Sequence, residues 1–596
     1  MVENTKENLS EVTNILVDAG YTEENFATQI KAAIGATAET EVLLFSHFNN
    51  LKLMNINKNE FLFLPLGGVG RIGMNVSLYH YQGKWIMIDL GIGFADETMP
   101  GVELLIADVN FIAQRKKDLL GIIITHAHED HCGAVPYLWE ELQCPIYTTK
   151  FTVNFLKEKP KEFRLEGMVP VKEVDINGRI NLDPFTVEFI NVTHSIPEAH
   201  SILVSTNVGS ALHTGDWKFD PKPVVGLTSN ISRLKEVGDK GDLLVAICDS
   251  TNILSKHNPE SEGEIYNNIY NIIRRSKKLV AVSLFASNVA RIETISQAAK
   301  ALGRKVVLLG RSLWRIVKVA QDSGYLTDSV EFCEAKDVAD LPREKLLLIC
   351  TGCQGEPMAA TSKLANKSHH AFKMQQGDTV IFSSKIIPGN ETRAHSMFNA
   401  FIEMGVEVII DKMEHVHASG HPVKAELKEM YSLIKPRMSI PVHGEYIHTH
   451  AHAKFAKECG VGKAIMIAPV ISLIWKAEKV DSIDVDYFGV DGMLLRYPES
   501  SVIKMRKRMR DAGAVVVTAI VNKKNKLLAK PKVFAPGVFE ASEDAAIIQR
   551  IIKTVESAFS LQSTKKIRNK IESSIFSILK EYLLKRPIIE VQIEQV

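Results

Sequence analysis

The stretch THAHEDHCGAVPYLWEEL, beginning at Thr125, restricts this chain more than any other. It places His126, His128, Asp130 and His131 within six residues, directly after the apolar run Leu119, Leu120, Gly121, Ile122, Ile123 and Ile124. Such a run reads as a buried strand, so four metal-type ligands stand where a strand ends. In extended chain, side chains two apart share a face, and His126 and His128 can close on one ion from the same side. Asp130 and His131 fall at the start of a helix suggested by Val135, Leu138 and Leu142, where adjacent residues diverge and can serve a second ion. A polar loop capping a helix is the plain alternative; four convergent ligand types behind a buried strand point instead to a binuclear metal site.

At 596 residues the chain is too long for one ordinary core. A formal net charge of +1 leaves any nucleic-acid binding to a local basic surface. The start MVENTKENLS lacks a basic segment followed by an apolar one, and no apolar run reaches the length of a membrane span, so the expectation is a cytoplasmic protein.

Residues 1–57 read as a helical extension of two short helices, with Leu9, Val12, Ile15 and Leu16 on one face and Phe26, Ile30 and Ile34 on another. From Phe61 strands and tight turns follow. GGVGRIG superficially matches a dinucleotide loop, but a strand pattern follows it and no helix opens on it. Asp89, at the end of a buried strand, is expected either to support a metal histidine or to cap a turn with Gly91. His194 follows the strand VEFINVT, Asp216 follows SALHTG, and Asp249 ends the strand LLVAICD. A carboxylate such as Asp216 can bridge two cations.

Over about 261–419 helix and strand patterns alternate, implying a parallel sheet with covering helices. Its strand ends carry Ser287, Asn288, Arg291, Arg311 and other small or polar residues that suit phosphates. HVHASGHP and MSIPVHGEY then return to the first style with His421 and His443, which makes the alternating region an insertion whose flanks meet at one site. Residues 480–504 read as a linker of mixed charge, and AVVVTAIV, two helical faces and PIIEVQIEQV as a small α/β domain. The basic residues Lys504, Arg506, Lys507, Arg508 and Arg510 read as a solvated face before an RNA contact.

These residues resemble the metallo-β-lactamase superfamily in the form with an inserted β-CASP domain, and within it the ribonuclease J family in its proteobacterial version. The resemblance rests on THAHEDH, THSIPE, HTGDWKFD, CDSTN, FASNVAR, GRS, CTGCQGEP, IPGN, ASGH and PVHGE, in this order. It implies an α/β protein: an αββα sandwich from 58–260 and 420–479, a β-CASP domain over 261–419, and a C-terminal α/β domain over 505–596. Carried onto matching positions, His126, His128 and His194 would hold one zinc, Asp130, His131 and His443 the other, with Asp216 bridging. Asp130, Asp249 and His421 are the implied catalytic residues, and Ser287, Asn288, Arg291, Arg311, Ser419 and Gly420 match segments that bind RNA backbone or 5′-phosphate. Arg71 and Cys353 depart from the family pattern, which more often has an acidic residue and a serine there.

The resemblance further implies a zinc-dependent ribonuclease, with manganese or magnesium able to support activity. It would act 5′→3′ on single-stranded RNA with a 5′-monophosphate, cleave internally as well, and serve RNA maturation and mRNA decay. It also implies a homodimer or homotetramer formed through the C-terminal domain. The readings set beside it are a nuclease acting on DNA, a hydrolase of lactams or thioesters, and a non-catalytic RNA-binding subunit.

Overall fold

A computed structural model describes residues 57–159, 163, 165–327, 331–338, 340–387, 389–466, 471–472, 486–559 and 564–596. The two helices expected before residue 57 lie outside these.

Two seven-stranded sheets face one another. The first has Ile471–Ser472 at its edge, antiparallel to the meander Leu62–Pro65, Ser77–Tyr81 and Lys84–Ile88, and continues with parallel strands Leu119–Ile123, Ile146–Thr148 and Val171–Glu173. The second repeats this division. Arg179–Leu182, Phe185–Val192, Ala199–Thr206 and Gly209–His213 run antiparallel, and Leu243–Asp249, Met438–Val442 and Lys463–Ala464 follow in parallel. Between the sheets Phe61, Phe63, Tyr79, Ile86 and Ile88 pack with Phe189, Ile202, Val204, Val245 and Ile440. Truncating one of these aromatics to alanine would cost about 3–5 kcal/mol. The other face of the second sheet is closed by helices Ile231–Lys240 and Lys424–Ile434, through Leu234, Val237, Leu427, Met430 and Tyr431.

Between the adjacent parallel strands Leu243–Asp249 and Met438–Val442 the chain builds a six-stranded, all-parallel sheet. Its order is Phe332–Cys333, Lys305–Leu309, Leu346–Cys350, Val280–Ser283, Thr379–Phe382 and Glu407–Ile410. The strands are apolar on both faces, as covering helices demand. Because Asp249 lies opposite Val442 in the register, the insertion leaves and returns at neighbouring strand ends. All seven cysteines are free thiols. Cys350 and Cys353 are separated by two residues but both buried, and burial pushes the Cys353 thiol up to about 12.

Phe94–Ile106 and Tyr487–Val596 form a second compact unit. Strand Ala514–Val521 pairs antiparallel with Lys532–Phe534 and parallel with Ile588–Gln595. Ile567, Ile571, Ile575 and Ile578, spaced four, four and three apart, bury one face of helix Thr564–Tyr582 in this unit's own core, with Ile551, Val555, Val515 and Val591. The region read as a linker is not one where it is described. Tyr487–Asp491 and Leu494–Arg496 form a hairpin, and helix Ser501–Ala512 begins inside the expected span. Asp491-Gly492, with Gly492 at φ +62°, is the turn signal that marks the hairpin.

Candidate metal centre

The parallel strands of both sheets end at one place, and the polar residues follow directly. His126 and His128 follow Leu119–Ile123, Asp216 follows Gly209–His213, Asp249 ends Leu243–Asp249, and His443 follows Met438–Val442. His194 comes two residues after Phe185–Val192. His128 is extended (φ −73°, ψ 149°), so it shares a face with His126.

The seven expected metal residues come together in two groups that share Asp216. In the first, Nδ1 of His128 lies 3.1 Å from Nε2 of His126 and 3.1 Å from Nε2 of His194. Burial holds all three imidazoles toward the neutral form, His128 down to about 4. Three neutral rings aiming nitrogens at one point suit a cation, because each supplies a lone pair. In the second group, Oδ2 of Asp130 lies 3.0 Å from Nε2 of His443 and 3.6 Å from Nε2 of His131. Oδ2 of Asp216 lies 3.3, 3.7 and 3.9 Å from Nε2 of His131, His194 and His126. Asp216 Oδ1 and His128 Nε2 are buried without a hydrogen-bond partner. Burial alone would lower His131 and His443, but Asp216 and its neighbouring carboxylates raise both well above the ordinary value. Burial would raise Asp130 and Asp216, and the surrounding histidines hold both low. Dense donors of both kinds, with orphaned polar atoms among them, fit a pair of divalent cations.

A further layer orients these rings. Asp89 accepts from Thr125 N (2.8 Å) and Thr125 Oγ1, and its Oδ2 lies 2.7 Å from His131 Nδ1. Of the two expectations for Asp89, support of a metal histidine is the one the geometry meets. His194 Nδ1 donates to the Gly420 carbonyl (2.7 Å), and His443 Nδ1 lies 2.7 Å from Thr251 Oγ1. The glycine loop serves the same end. The Gly68 carbonyl accepts from His443 N (2.7 Å), and Gly68, at φ +72°, has Asn75 packed where a Cβ would be. Asn75 in turn reaches Asp130 and His131.

His421 and Asp249 pair, Nδ1 to Oδ2 at 2.8 Å, and make a third donor group with Asp216 and His443. Asp249 is fixed by Thr251 N (2.8 Å) and Oγ1 (2.7 Å). Burial opposes a charge on His421, yet the carboxylates of Asp249 and Asp216 raise its pKa.

The residues expected to touch RNA divide. Arg311 is exposed at the start of helix Arg311–Ser323, and Ser287 is half-buried. Asn288 uses its side-chain carbonyl to cap helix Val289–Ala301. Ser419 Oγ accepts from Asn252 (2.7 Å), and the chain is tight at Gly420 because His194 fills the space of a Cβ. Arg291 is a correction. It is fully buried, bonds both oxygens of Glu262 (2.6 and 2.8 Å), and donates to Ser383 and Val416, so its guanidinium is spent inside the protein. Residues missed in the sequence include Lys218, whose ammonium donates to the carbonyls of Glu260 and Ser419. With Lys385, His257, Asn252 and Ser419 it lines a cavity beside His421. Only the basic residue in HTGDWKFD could have signalled it.

Comparison with known proteins agrees with this architecture. Residues 69–244 match the metallo-β-lactamase superfamily, 277–401 the ribonuclease J β-CASP domain, 405–467 the Zn-dependent metallo-hydrolase RNA specificity domain, and 501–596 the ribonuclease J C-terminal domain. The chain is 38% identical to the ribonuclease J of Sinorhizobium meliloti over 502 residues, covering 82% of this chain and 88% of the relative. It is 32% identical to that of Helicobacter pylori over 581 residues (94% and 83%), and 34% identical to that of Thermus thermophilus over 469 residues (77% and 82%).

Proposed function

Because the chain belongs to the ribonuclease J family and is a metal-dependent hydrolase of the nuclease class, we propose that it is a two-zinc ribonuclease that degrades single-stranded RNA 5′→3′. It prefers 5′-monophosphate ends and cleaves internally as a second mode. The observation that carries this reading is the pair of donor groups sharing Asp216, with His421 and Asp249 alongside.

His126, His128 and His194 would hold one zinc and Asp130, His131 and His443 the other, with Asp216 between them. When bound, such a pair acidifies water and neutralises charge on a phosphodiester; manganese or magnesium could substitute. The protein's own contribution is the proton inventory. Asp249 engages Nδ1 of His421, which leaves Nε2 as the atom that delivers a proton to the departing 3′-oxygen. Burial disfavours the charged ring, and the carboxylates of Asp249 and Asp216 outweigh it in favour of the protonated form. In the cavity beside His421, Lys385 and His257 would receive a terminal phosphate, with Glu260 and Glu426 in the same wall, and exposed Arg311 suits the backbone. Recognition of this kind reads charge and shape, so activity should depend steeply on salt and weakly on sequence.

The test is digestion of one RNA labelled at either end, bearing a 5′-monophosphate or 5′-triphosphate, with and without chelator. Chelator-sensitive release of mononucleotides from the 5′ end, faster with the monophosphate, is expected. Internal fragments indifferent to the 5′ group would make the enzyme chiefly an endonuclease, and preference for the matched DNA strand would overturn the RNA reading. We also assign it to RNA maturation and decay in the cytoplasm, as a homodimer or homotetramer through the C-terminal domain. No helix among the described residues is long and apolar enough to cross a membrane. The isoleucine faces are spent on that domain's own core, so assembly would use another of its surfaces. A chain ended at residue 500 that kept its oligomeric state would reject the assignment.

A further inference from the structure

A nuclease that is indifferent to sequence must still hold a flexible strand beside its metal donors. Aromatic rings do this for any base, since every base has a π-face. One ring stands at the rim of the centre. Tyr446 opens helix Tyr446–Glu458, three residues after His443, and is 65% exposed. Its phenol end lies on Gly70, where a Cβ would stand 2.9 Å from both Cε2 and Cζ. Gly70 is held in place by the parallel pairing of Val69–Gly70 with Gly444–Glu445. Three residues further along the same loop, a Cβ on Gly73 would stand 3.4 Å from Cβ of Asp130. The loop therefore runs from the tyrosine ring to a donor of the second metal group. Ile447 (61% exposed) follows Tyr446 directly, and Ile72 (40% exposed) comes two residues after Gly70.

Single exposed apolar side chains need no explanation. Here an open ring is braced by backbone, accompanied by two exposed isoleucines and tied through one short loop to Asp130. We propose that Tyr446 is a stacking platform for one nucleobase of the RNA strand as it passes the metal centre. The inference rests on the ribonuclease reading and deepens it: the contact takes any base and fixes where the strand lies relative to the cleaved bond. Tyr446 is a positioning residue, and it exchanges no proton.

The test uses the full-length, zinc-loaded protein and one single-stranded RNA in which an abasic residue is placed in turn at successive positions from the cleaved bond outward. With wild-type protein, one position should raise KM about tenfold, the scale of a single base stack. Tyr446→Ala should raise KM for intact RNA by a similar factor and lose its sensitivity to the abasic residue at that position. Tyr446→Phe, which keeps the ring, should recover the wild-type KM, and metal content should be equal in all three. An unchanged KM in Tyr446→Ala overturns the proposal, as does a loss that multiplies in full with the abasic loss. If wild-type protein cleaves no RNA, the ribonuclease reading fails, and the same comparison made on equilibrium binding still decides the platform.

Discussion

Asp89 stands behind one of the candidate metal-holding imidazoles, its carboxylate 2.7 Å from Nδ1 of His131. It is buried at φ +62°, and its oxygens are divided between Thr125 and Nδ1 of His131. An anionic acceptor behind an imidazole fixes the tautomer and makes the far nitrogen a better donor. Asp89→Asn should therefore weaken zinc binding by roughly 10–100-fold, read by competition with a chelator, while the fold is kept. Unchanged affinity would leave Asp89 a mere turn residue. Arg291 calls for the opposite experiment. FASNVAR suggests a strand-end contact, but Arg291 stands in the first turn of helix Val289–Ala301, and nothing in the motif tells that Glu262, 29 residues earlier, will take its guanidinium inside the protein. Arg291→Met strands a buried carboxylate and should lower stability by about 3–5 kcal/mol, seen in denaturant unfolding. The folded fraction should bind RNA as before, and a selective loss of RNA affinity at full stability would restore Arg291 as a contact.

At the scale of elements, the donor set was legible because each donor stands where a strand pattern stops, and open sheets collect ligands at strand ends. What periodicity could not give was the service of loops without a pattern of their own. GGVGRIG offered no chemistry in the sequence. In the structure Gly68 carries the His443 backbone, Gly70 carries Tyr446 and Gly73 abuts Asp130. Gly68→Ala meets two obstacles at once, a left-handed φ and a Cβ 2.4 Å from Asn75 Oδ1. The loop must shift, and the His443 ring moves with it. The expected outcome is loss of metal from the second group with the sandwich intact, measured as zinc per chain beside the far-ultraviolet spectrum; full zinc content would show the loop to be dispensable. The misread linker has a similar origin: residues 487–496 hold a hairpin too short for periodicity, and strand Leu104–Ala107, nearly 400 residues earlier in the chain, joins the same sheet.

For the whole molecule, burial of neutral histidines makes stability depend on pH. His80, His200, His213 and His452 are all held near 4, chiefly by burial. His452 is the cleanest case, fully buried with Nδ1 2.9 Å from Ser250 Oγ and Nε2 2.7 Å from Tyr431 OH. Its folded pKa lies below the unfolded value of about 6.5, so the unfolded chain binds the proton first as pH falls. The stabilisation is complete above about 6.5 and is lost progressively toward 4. Between pH 7 and pH 5 this one residue should account for about 2 kcal/mol. His452→Gln retains hydrogen-bonding groups for the serine and the tyrosine but does not titrate. It should lower stability at pH 7 yet lose less on acidification, so that wild-type and variant unfolding midpoints converge between pH 7 and pH 5. Midpoints that fall in parallel would mean that His452 takes up its proton at the same pH in the folded as in the unfolded chain, its two hydroxyl partners offsetting the effect of burial.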